Sequence, residues 1–197
     1  MGIATGNVYT ARELKALEVR LFHVSYQPIE IGTQLRSSDF QLRPHYSFFV
    51  EDPPQHFLEQ DDYRARRLTE EAFEMMRPRV QLDLPSRKKS LFTNLTIEDA
   101  NYWAQKRSRK GGIYELSVAD SSRALAVDFV WYNYCVREIK GLLTHDPLLQ
   151  SVDEEKVKDI DSAAYKYWKG ILSSTADGTP RIEVLLDGVA RIVSRVD

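Results

Sequence analysis

The stretch RIEVLLDGVARIVSRV, residues 181–196, carries the clearest strand signal in the chain. Two runs rich in apolar residues, RIEVLL and ARIVSRV, stand on either side of Asp187-Gly188. An Asp-Gly pair between such runs is typical of a two-residue β-hairpin. The pattern therefore predicts a closing pair of strands, and a closing hairpin indicates antiparallel sheet in the fold.

Further strands and helices are predicted on the N-terminal side of this pair. Alternating or short apolar runs predict strands in VRLFHVSY, KKSLFTN and IYELSV, while residues 35–49 are strand or loop. Capping residues and apolar periodicity predict helices at 10–18 (a capping box of Thr10 and Glu13), 56–76 (closed by Pro78), 97–106 (capped by Thr96), 122–143 and 153–172. Together they predict an α+β fold in one domain, 1–197, with a helical insertion near 54–78.

Composition describes an ordinary folded chain. Of 197 residues, 43% are hydrophobic and 28% are charged. A chain of this length can bury a substantial core without disulfide or metal cross-links. The single cysteine, Cys135, excludes an intramolecular disulfide and a cysteine-based zinc site. No apolar run approaches the roughly 20 residues that span a bilayer, and the N-terminus lacks the apolar core of a signal peptide. We therefore expect a cytoplasmic protein with no membrane contact.

Charge is unevenly distributed although the net charge is only −2. Basic residues gather at 64–67, 87–89 and 106–110, and acidic residues dominate 146–161. Such runs are compatible with solvated helix faces, and also with a nucleic-acid surface if they converge on one face. The net charge makes no general case for nucleic acid.

Several common catalytic motifs are absent from the sequence. The four histidines show no i, i+4 pair on a predicted helix and no HExxH, so no metal site is expected. The sequence also has no GxSxG, GxxxxGK[ST] or GxGxxG, which argues against a hydrolase elbow, a P-loop and a Rossmann site.

Three segments resemble the conserved strands of the ADP-ribosyltransferase superfamily, in its diphtheria-toxin and poly-ADP-ribose polymerase branch. They are LFHVSY, SLFTNLTIEDANYWA and RIEVLLDG. That branch has a histidine in its first strand, an aromatic in a later strand, a second aromatic in the following helix and a glutamate on a late strand. The matching positions are His23, Phe92, Tyr102 and Glu183. The wider frame, LPSRKKSLF with YWKGI and RIEVLLDGVARI, is similar to a less characterised bacterial group of the superfamily.

The resemblance implies a split antiparallel β core with peripheral helices, and NAD⁺ as substrate. Glu183 and His23 would be catalytic. The cofactor-binding residues would be His23, Ser25, Arg87, Ser90, Phe92 and Tyr102. Phe92 stands where the family usually has tyrosine, but stacking on a nicotinamide ring needs a π face and not a hydroxyl. Taken singly, Phe92 also fits a core position, and Glu183 also fits the solvent side of a strand.

The acceptor of ADP-ribose stays open. Family members that modify arginine typically carry an acid or amide two positions before the catalytic glutamate, where this chain has Arg181. We expect a mono-ADP-ribosyltransferase acting on a macromolecule, with RNA or DNA favoured over protein by the basic clusters. Such an enzyme would suit a bacterial toxin or anti-phage effector restrained by an antitoxin or regulatory protein. The alternatives are a small-molecule, antibiotic-type transferase and a non-catalytic module that binds NAD⁺ or a partner.

Overall fold

The computed structural model describes residues 3–42, 61–106, 111–174 and 179–197. This part of the chain holds eight strands and five α-helices. The strands are β1 (Val8–Thr10), β2 (Leu21–Ser25), β3 (Gln34–Arg36), β4 (Leu91–Thr93), β5 (Gly112–Val118), β6 (Arg123–Asp128), β7 (Ile182–Asp187) and β8 (Val189–Arg195). The helices are α1 (Ala11–Ala16), α2 (Asp61–Val80), α3 (Ile97–Lys106), α4 (Val130–His145) and α5 (Glu154–Trp168). Short 3-10 turns occur at Ser37–Leu42 and Arg87–Lys89.

The strands form two antiparallel sheets, which confirms the predicted α+β class. The first sheet has the order β1-β6-β7-β4, and the second has the order β2-β5-β8-β3. One face of the first sheet packs on α2, α4 and α5 through a core that includes Phe73, Tyr167 and Leu185. Its other face packs on the second sheet, where Val184 and Ile192 share a core. The first sheet is therefore buried between a helical layer and the second sheet, whose far face carries α3.

Local signals in the sequence predicted several of these elements correctly. Helix α1 begins with the expected capping box, in which the Thr10 side chain and Glu13 exchange hydrogen bonds. Thr96 caps α3 by accepting a hydrogen bond from the Asp99 backbone N–H at 3.1 Å. Strands β2 and β4 lie within the predicted segments, and β5 begins one residue before the predicted IYELSV and ends with it. These features depend on neighbouring residues alone, which is why the sequence indicates them.

The predicted hairpin at the end of the chain is wrong. Strand β7 pairs with β6 and β4 in the first sheet, whereas β8 pairs with β5 and β3 in the second. The chain passes between the sheets at Gly188, whose φ is +127°. The Ser37 hydroxyl accepts from the Gly188 N–H at 3.0 Å, and the Ser122 hydroxyl accepts from the Val189 N–H at 2.8 Å. An Asp-Gly pair provides a sharp turn. Here that turn connects two sheets, because β7 has both faces buried and pairs with β6 and β4 and not with β8.

Gly188 gives the first testable prediction. A Cβ added there would lie 2.5 Å from the Ser122 hydroxyl oxygen, in a backbone conformation that side chains rarely adopt. We expect Gly188→Ala to lower the free energy of unfolding in urea by about 2 kcal/mol. Gly141→Ala is the control, because no atom lies within 4 Å of its added Cβ and alanine favours the helix. Equal stability of the two variants would contradict this account of the crossing.

Two predicted helices have different bounds in the structure. Residues 122–143 were expected to form one helix, but β6 takes residues 123–128 and α4 begins at Val130. The run RALAVD contains good helix formers, yet β6 lies between β1 and β7, and Ala124 to Val127 are fully buried. Tertiary pairing therefore overrides local propensity. Helix α5 ends at Trp168 instead of 172, because Gly170 adopts a left-handed φ of +65°.

The predicted helix near the proposed insertion extends further than expected. Helix α2 runs to Val80 and contains Pro78, so the expected closure at Pro78 is wrong. Pro78 lies in the last turn of α2. The hydrogen bond lost with its N–H is therefore close to the helix end and destabilises α2 little. Residues 54–60 of the predicted insertion, residues 43–49 and most of the predicted loop near 173–179 lie outside the described residues.

Candidate functional site

The two sheets meet at one pair of edge strands. Phe22 of β2 and Asn94, just after β4, form an isolated antiparallel bridge. The Phe22 N–H donates to the Asn94 carbonyl at 2.9 Å, and the Asn94 N–H donates to the Phe22 carbonyl at 2.8 Å. Strand β2 is an edge of the second sheet and β4 is an edge of the first, so the bridge joins the two sheets at these edges. His23 and Ser25 therefore follow the junction on β2, and Phe92 and Ser90 precede it on the β4 side.

His23 is buried and contacts the opposite edge. Its Nδ1 lies 3.1 Å from the Phe92 carbonyl oxygen. A carbonyl oxygen only accepts hydrogen bonds, so Nδ1 carries the proton and, in the neutral imidazole, Nε2 has the lone pair. The junction thus brings together two of the four residues singled out by the family resemblance.

Phe92 lies on the face of the first sheet that packs on the helices. It is directly opposite Leu185 of β7, and strand alternation places Glu183 on the same face. The guanidinium carbon of Arg87 lies 4.9 Å from the centre of the Phe92 ring. Phe92 is therefore between His23 on the sheet edge and Arg87 under the helices.

A buried ion-pair cluster surrounds Glu183. Arg87 donates through Nε to both carboxylate oxygens of Glu70, at 3.2 and 3.1 Å, and through Nη1 to Glu183. Arg87 Nη1 also donates to the Tyr167 hydroxyl, which in turn donates to Glu183 Oε1 at 2.6 Å. Tyr132 completes the enclosure, with its ring centre 4.3 Å from the Arg87 guanidinium carbon. The structure therefore excludes a solvent-facing Glu183.

Burial and ion pairing act in opposite directions on this cluster. Burial raises the pKa of Glu183 above its ordinary value, while the Arg87 charge and the Tyr167 hydrogen bond act to lower it. Burial acts to lower the pKa of Arg87, but Glu183 and Glu70 hold it well above its ordinary value. Arg87 is thus a permanent cation between two carboxyl groups, and Glu183 binds a proton more readily than an exposed glutamate.

Tyr102 lies on α3 and contacts the residue two positions before Glu183. The guanidinium carbon of Arg181 is 4.1 Å from the centre of the Tyr102 ring, and Arg181 Nη1 is 3.7 Å from Asp99 Oδ1. Trp103 packs edge-on against Tyr102 at 5.3 Å and against Phe129 at 4.7 Å. A series of aromatic contacts therefore leads from Tyr102 towards the buried cluster.

The two predicted serines differ in their surroundings. The Ser25 hydroxyl donates to the Gln27 carbonyl at 2.7 Å, within a local turn after β2. The Ser90 hydroxyl is buried and has no hydrogen-bond partner among the described residues. Asn94 Oδ1 is also buried, and it too has no hydrogen-bond partner in the part of the chain that the structure describes.

Sequence reasoning did not identify Glu70, Tyr167 or Asn94. Glu70 had a detectable signal, because it lies seven residues after Tyr63 and three before Phe73, on the buried stripe of α2. A charged residue on an apolar stripe is rarely buried without a partner. Tyr167 and Asn94 lie in the family-like segments YWKGI and SLFTNLTIEDANYWA, but aromatic residues on helices and asparagines at strand ends are common, so neither was predicted as a site residue.

Asp128 orders the chain where β7 begins. Its carboxylate accepts hydrogen bonds from the Ser173 N–H at 2.8 Å, the Ser173 hydroxyl at 2.7 Å and the Arg181 N–H at 3.0 Å. A fourth bond from the Val130 N–H, at 3.0 Å, joins the start of α4 to the same side chain. Asp128 therefore fixes the approach to the strand that carries Glu183.

The described ranges hold neither a metal-ligand cluster nor a membrane-spanning helix. Within them, no three His, Cys, Asp or Glu residues lie together as a metal would require. No helix in these ranges combines the length and apolar character that a bilayer span needs.

Fold and site define an α+β protein with two antiparallel sheets, an edge junction carrying His23 and Phe92, and a buried cluster around Glu183. The chain belongs to a family described as "Protein of unknown function (DUF2441)", whose model matches residues 24–197. The match begins one residue after His23 and includes the other candidate residues. No curated protein matches the chain.

Proposed function

We propose that this protein is an NAD⁺-dependent mono-ADP-ribosyltransferase that acts on a macromolecule. The contact between His23 and Phe92 at the sheet junction, with Glu183 on the neighbouring strand β7, carries the proposal. The two antiparallel sheets with peripheral helices are compatible with the split β core of that superfamily. NAD⁺ would be a substrate, and the chemistry needs no metal.

The proposed reaction breaks the bond between nicotinamide and ribose. Nicotinamide leaves as a neutral molecule with the electron pair of that bond, and the acceptor nucleophile bonds to ribose C1′ and loses a proton. Positive charge develops on the ribose, and the Glu183 carboxylate would stabilise it. His23 Nε2 would accept from a ribose hydroxyl and orient the substrate, while Phe92 and Tyr102 would stack on planar groups.

The buried cluster bears on how Glu183 would act. Arg87 and Tyr167 favour the carboxylate form that the reaction needs, against the effect of burial. A ribose hydroxyl would have to replace or join the contacts that Tyr167 and Arg87 now make. Arg87 donates to Glu70, Tyr167 and Glu183, so binding of a pyrophosphate by Arg87 would require it to leave the two carboxylates.

The basic surface for a nucleic-acid acceptor is smaller than the sequence suggested. Arg87 is buried and cannot belong to it, Arg67 pairs with Glu71, and Arg64 donates to the Pro147 carbonyl. Lys89 is exposed and lies two residues after Arg87 in the chain, and residues 107–110 lie outside the described part. We retain RNA or DNA as the proposed acceptor class, in a cytoplasmic toxin or anti-phage effector restrained by a protein inhibitor.

Incubation with labelled NAD⁺ tests the function directly. The protein is given NAD⁺ labelled in the adenylate half, together with RNA, DNA, protein or no acceptor. We expect release of nicotinamide and transfer of label to nucleic acid. Label on protein alone would change the acceptor class, and label only on added small molecules would favour the antibiotic-type alternative.

One observation favours a second candidate function. Glu183 is held by Arg87 and Tyr167 in a closed, buried pair, as a structural glutamate would be. A non-catalytic module that binds NAD⁺ or a protein partner would need no release of this pair. Binding of NAD⁺ without any release of nicotinamide would support this candidate over the enzyme.

A further inference from the structure

Two buried polar atoms flank Phe92, on the residues directly before and directly after β4. Ser90 is 3% exposed and Asn94 is 4% exposed, and neither Ser90 Oγ nor Asn94 Oδ1 has a hydrogen-bond partner in the described ranges. Strand alternation places positions 90, 92 and 94 on one face of the sheet. A buried acceptor without a donor is costly, so such an atom on a strand that borders a candidate site points to a ligand group.

The Asn94 amide has a defined orientation. Its Nδ2 donates to the Phe22 carbonyl at 3.3 Å, in addition to the two backbone hydrogen bonds between the same residues. A carbonyl oxygen cannot donate, so the atom facing Phe22 must be the amide nitrogen. The remaining atom, Oδ1, is therefore an acceptor that requires an N–H or O–H donor.

The pairing register brings Asn94 and Glu183 to the same end of the β4–β7 ladder. Strand β4 pairs with β7 as Leu91 with Leu186, Phe92 with Leu185, and Thr93 with Val184. Asn94 comes directly after Thr93 and Glu183 directly before Val184, so both residues follow the last pair of this ladder, on the face that also carries Phe92. Because the Asn94 backbone groups bond to Phe22, they face away from β7. In a regular antiparallel pair such a position is non-hydrogen-bonded, and opposing Cβ atoms there are about 4.5–5.5 Å apart.

We propose that Asn94 is a further binding residue, which takes one hydroxyl of the nicotinamide ribose while Glu183 takes the other. Two adjacent acceptors repel each other unless donors lie between them, and a vicinal diol presents two O–H donors at such a spacing. Glu183 would accept from the 2′-hydroxyl and Asn94 Oδ1 from the 3′-hydroxyl. Ser90 is four residues away, roughly 13 Å along an extended strand, and so cannot share this diol.

This assignment rests on the proposed function and is tested by removing each partner separately. Release of nicotinamide is measured for the wild type and Asn94→Ala, with NAD⁺ and with the analogue that lacks the 3′-hydroxyl of the nicotinamide ribose. We expect the wild type to lose about 30-fold in kcat/KM with the analogue, which corresponds to one hydrogen bond with a charged or buried partner. Asn94→Ala should lose a similar factor with NAD⁺ and lose nothing further with the analogue.

Ser90→Ala is the matched control, because Ser90 is equally buried and lies on the same face. Its sensitivity to the 3′-hydroxyl should equal that of the wild type. Two outcomes would overturn the assignment and leave the proposed function intact. The first is a further loss of kcat/KM when Asn94→Ala is given the analogue in place of NAD⁺. The second is a wild type whose kcat/KM is the same with NAD⁺ and with the analogue. The second outcome needs no variant and therefore holds even if Asn94→Ala fails to fold. A wild type that neither cleaves nor binds NAD⁺ would overturn both.

Discussion

Replacing Glu183 by glutamine is expected to reduce nicotinamide release from NAD⁺ by about a thousandfold. The amide has no negative charge to stabilise the positive charge that develops on ribose, and loss of one such electrostatic group typically costs 10²–10³ in rate. Glutamine keeps the size of the side chain and one oxygen that can accept from Arg87 and Tyr167. Single-turnover rates of nicotinamide release, with NAD⁺ in excess over its dissociation constant, measure the loss apart from binding.

The same substitution is also expected to destabilise the protein, because Glu183 is only 5% exposed and pairs with Arg87. Loss of one partner from a buried ion pair costs roughly 3–5 kcal/mol, and the retained oxygen places the loss near the lower end. Activity must therefore be compared with a variant of similar stability. Glu70→Gln provides it, since Glu70 is buried and pairs with the same guanidinium.

Glu70→Gln should lose comparable stability in urea and retain most of its rate of nicotinamide release. An equal loss of rate in both variants would mean that activity depends on the Arg87 cluster as a whole. A Glu183→Gln variant that still releases nicotinamide at the wild-type rate would exclude Glu183 from the chemistry, whatever its stability.

The sequence predicted those parts of the fold that depend on neighbouring residues. The capping box of α1, the Thr96 cap of α3 and the alternation in β2 all lie within a few residues of the element they define. The contact between β2 and β4 at His23 and Phe92 depends on no local signal, since it joins residues 69 positions apart.

The failed predictions concern partners that are distant in sequence. Strand β6 was predicted as the start of a helix over 122–143, and its position between β1 and β7 makes it a strand. The Asp-Gly turn at Gly188 leads into another sheet because β7 already has neighbours on both sides. Glu183 was open to a solvent-facing reading because Arg87, its buried partner, is 96 residues away.

Replacing Arg87 by methionine is expected to cause a loss of stability that depends on pH. Methionine fills a similar volume but leaves the Glu70 and Glu183 carboxyl groups buried without a cation, which costs about 3–5 kcal/mol when they are charged. Arg87 acts to lower the pKa of Glu183, so its removal moves that pKa further above the ordinary value of 4.5. At a pH between the unfolded and the folded pKa of Glu183, this carboxyl group therefore holds a proton in the folded variant and has released it in the unfolded chain.

The sign of the pH effect follows from this difference. A group whose folded pKa is raised contributes stability that is fully present below the unfolded pKa and is lost as pH rises through the folded pKa. For Arg87→Met, the deficit relative to the wild type should be small near pH 4 and should grow above the ordinary Glu183 value of 4.5. Urea unfolding at a series of pH values measures this deficit.

Arg123→Met is the control, because Arg123 pairs with Asp187 and both side chains are more than a third exposed. The substitution should lower the free energy of unfolding by under about 1 kcal/mol at every pH. A deficit in Arg87→Met that is constant across this range would mean that lost packing on Phe92 and Tyr132, and not the charge of Arg87, stabilises the cluster.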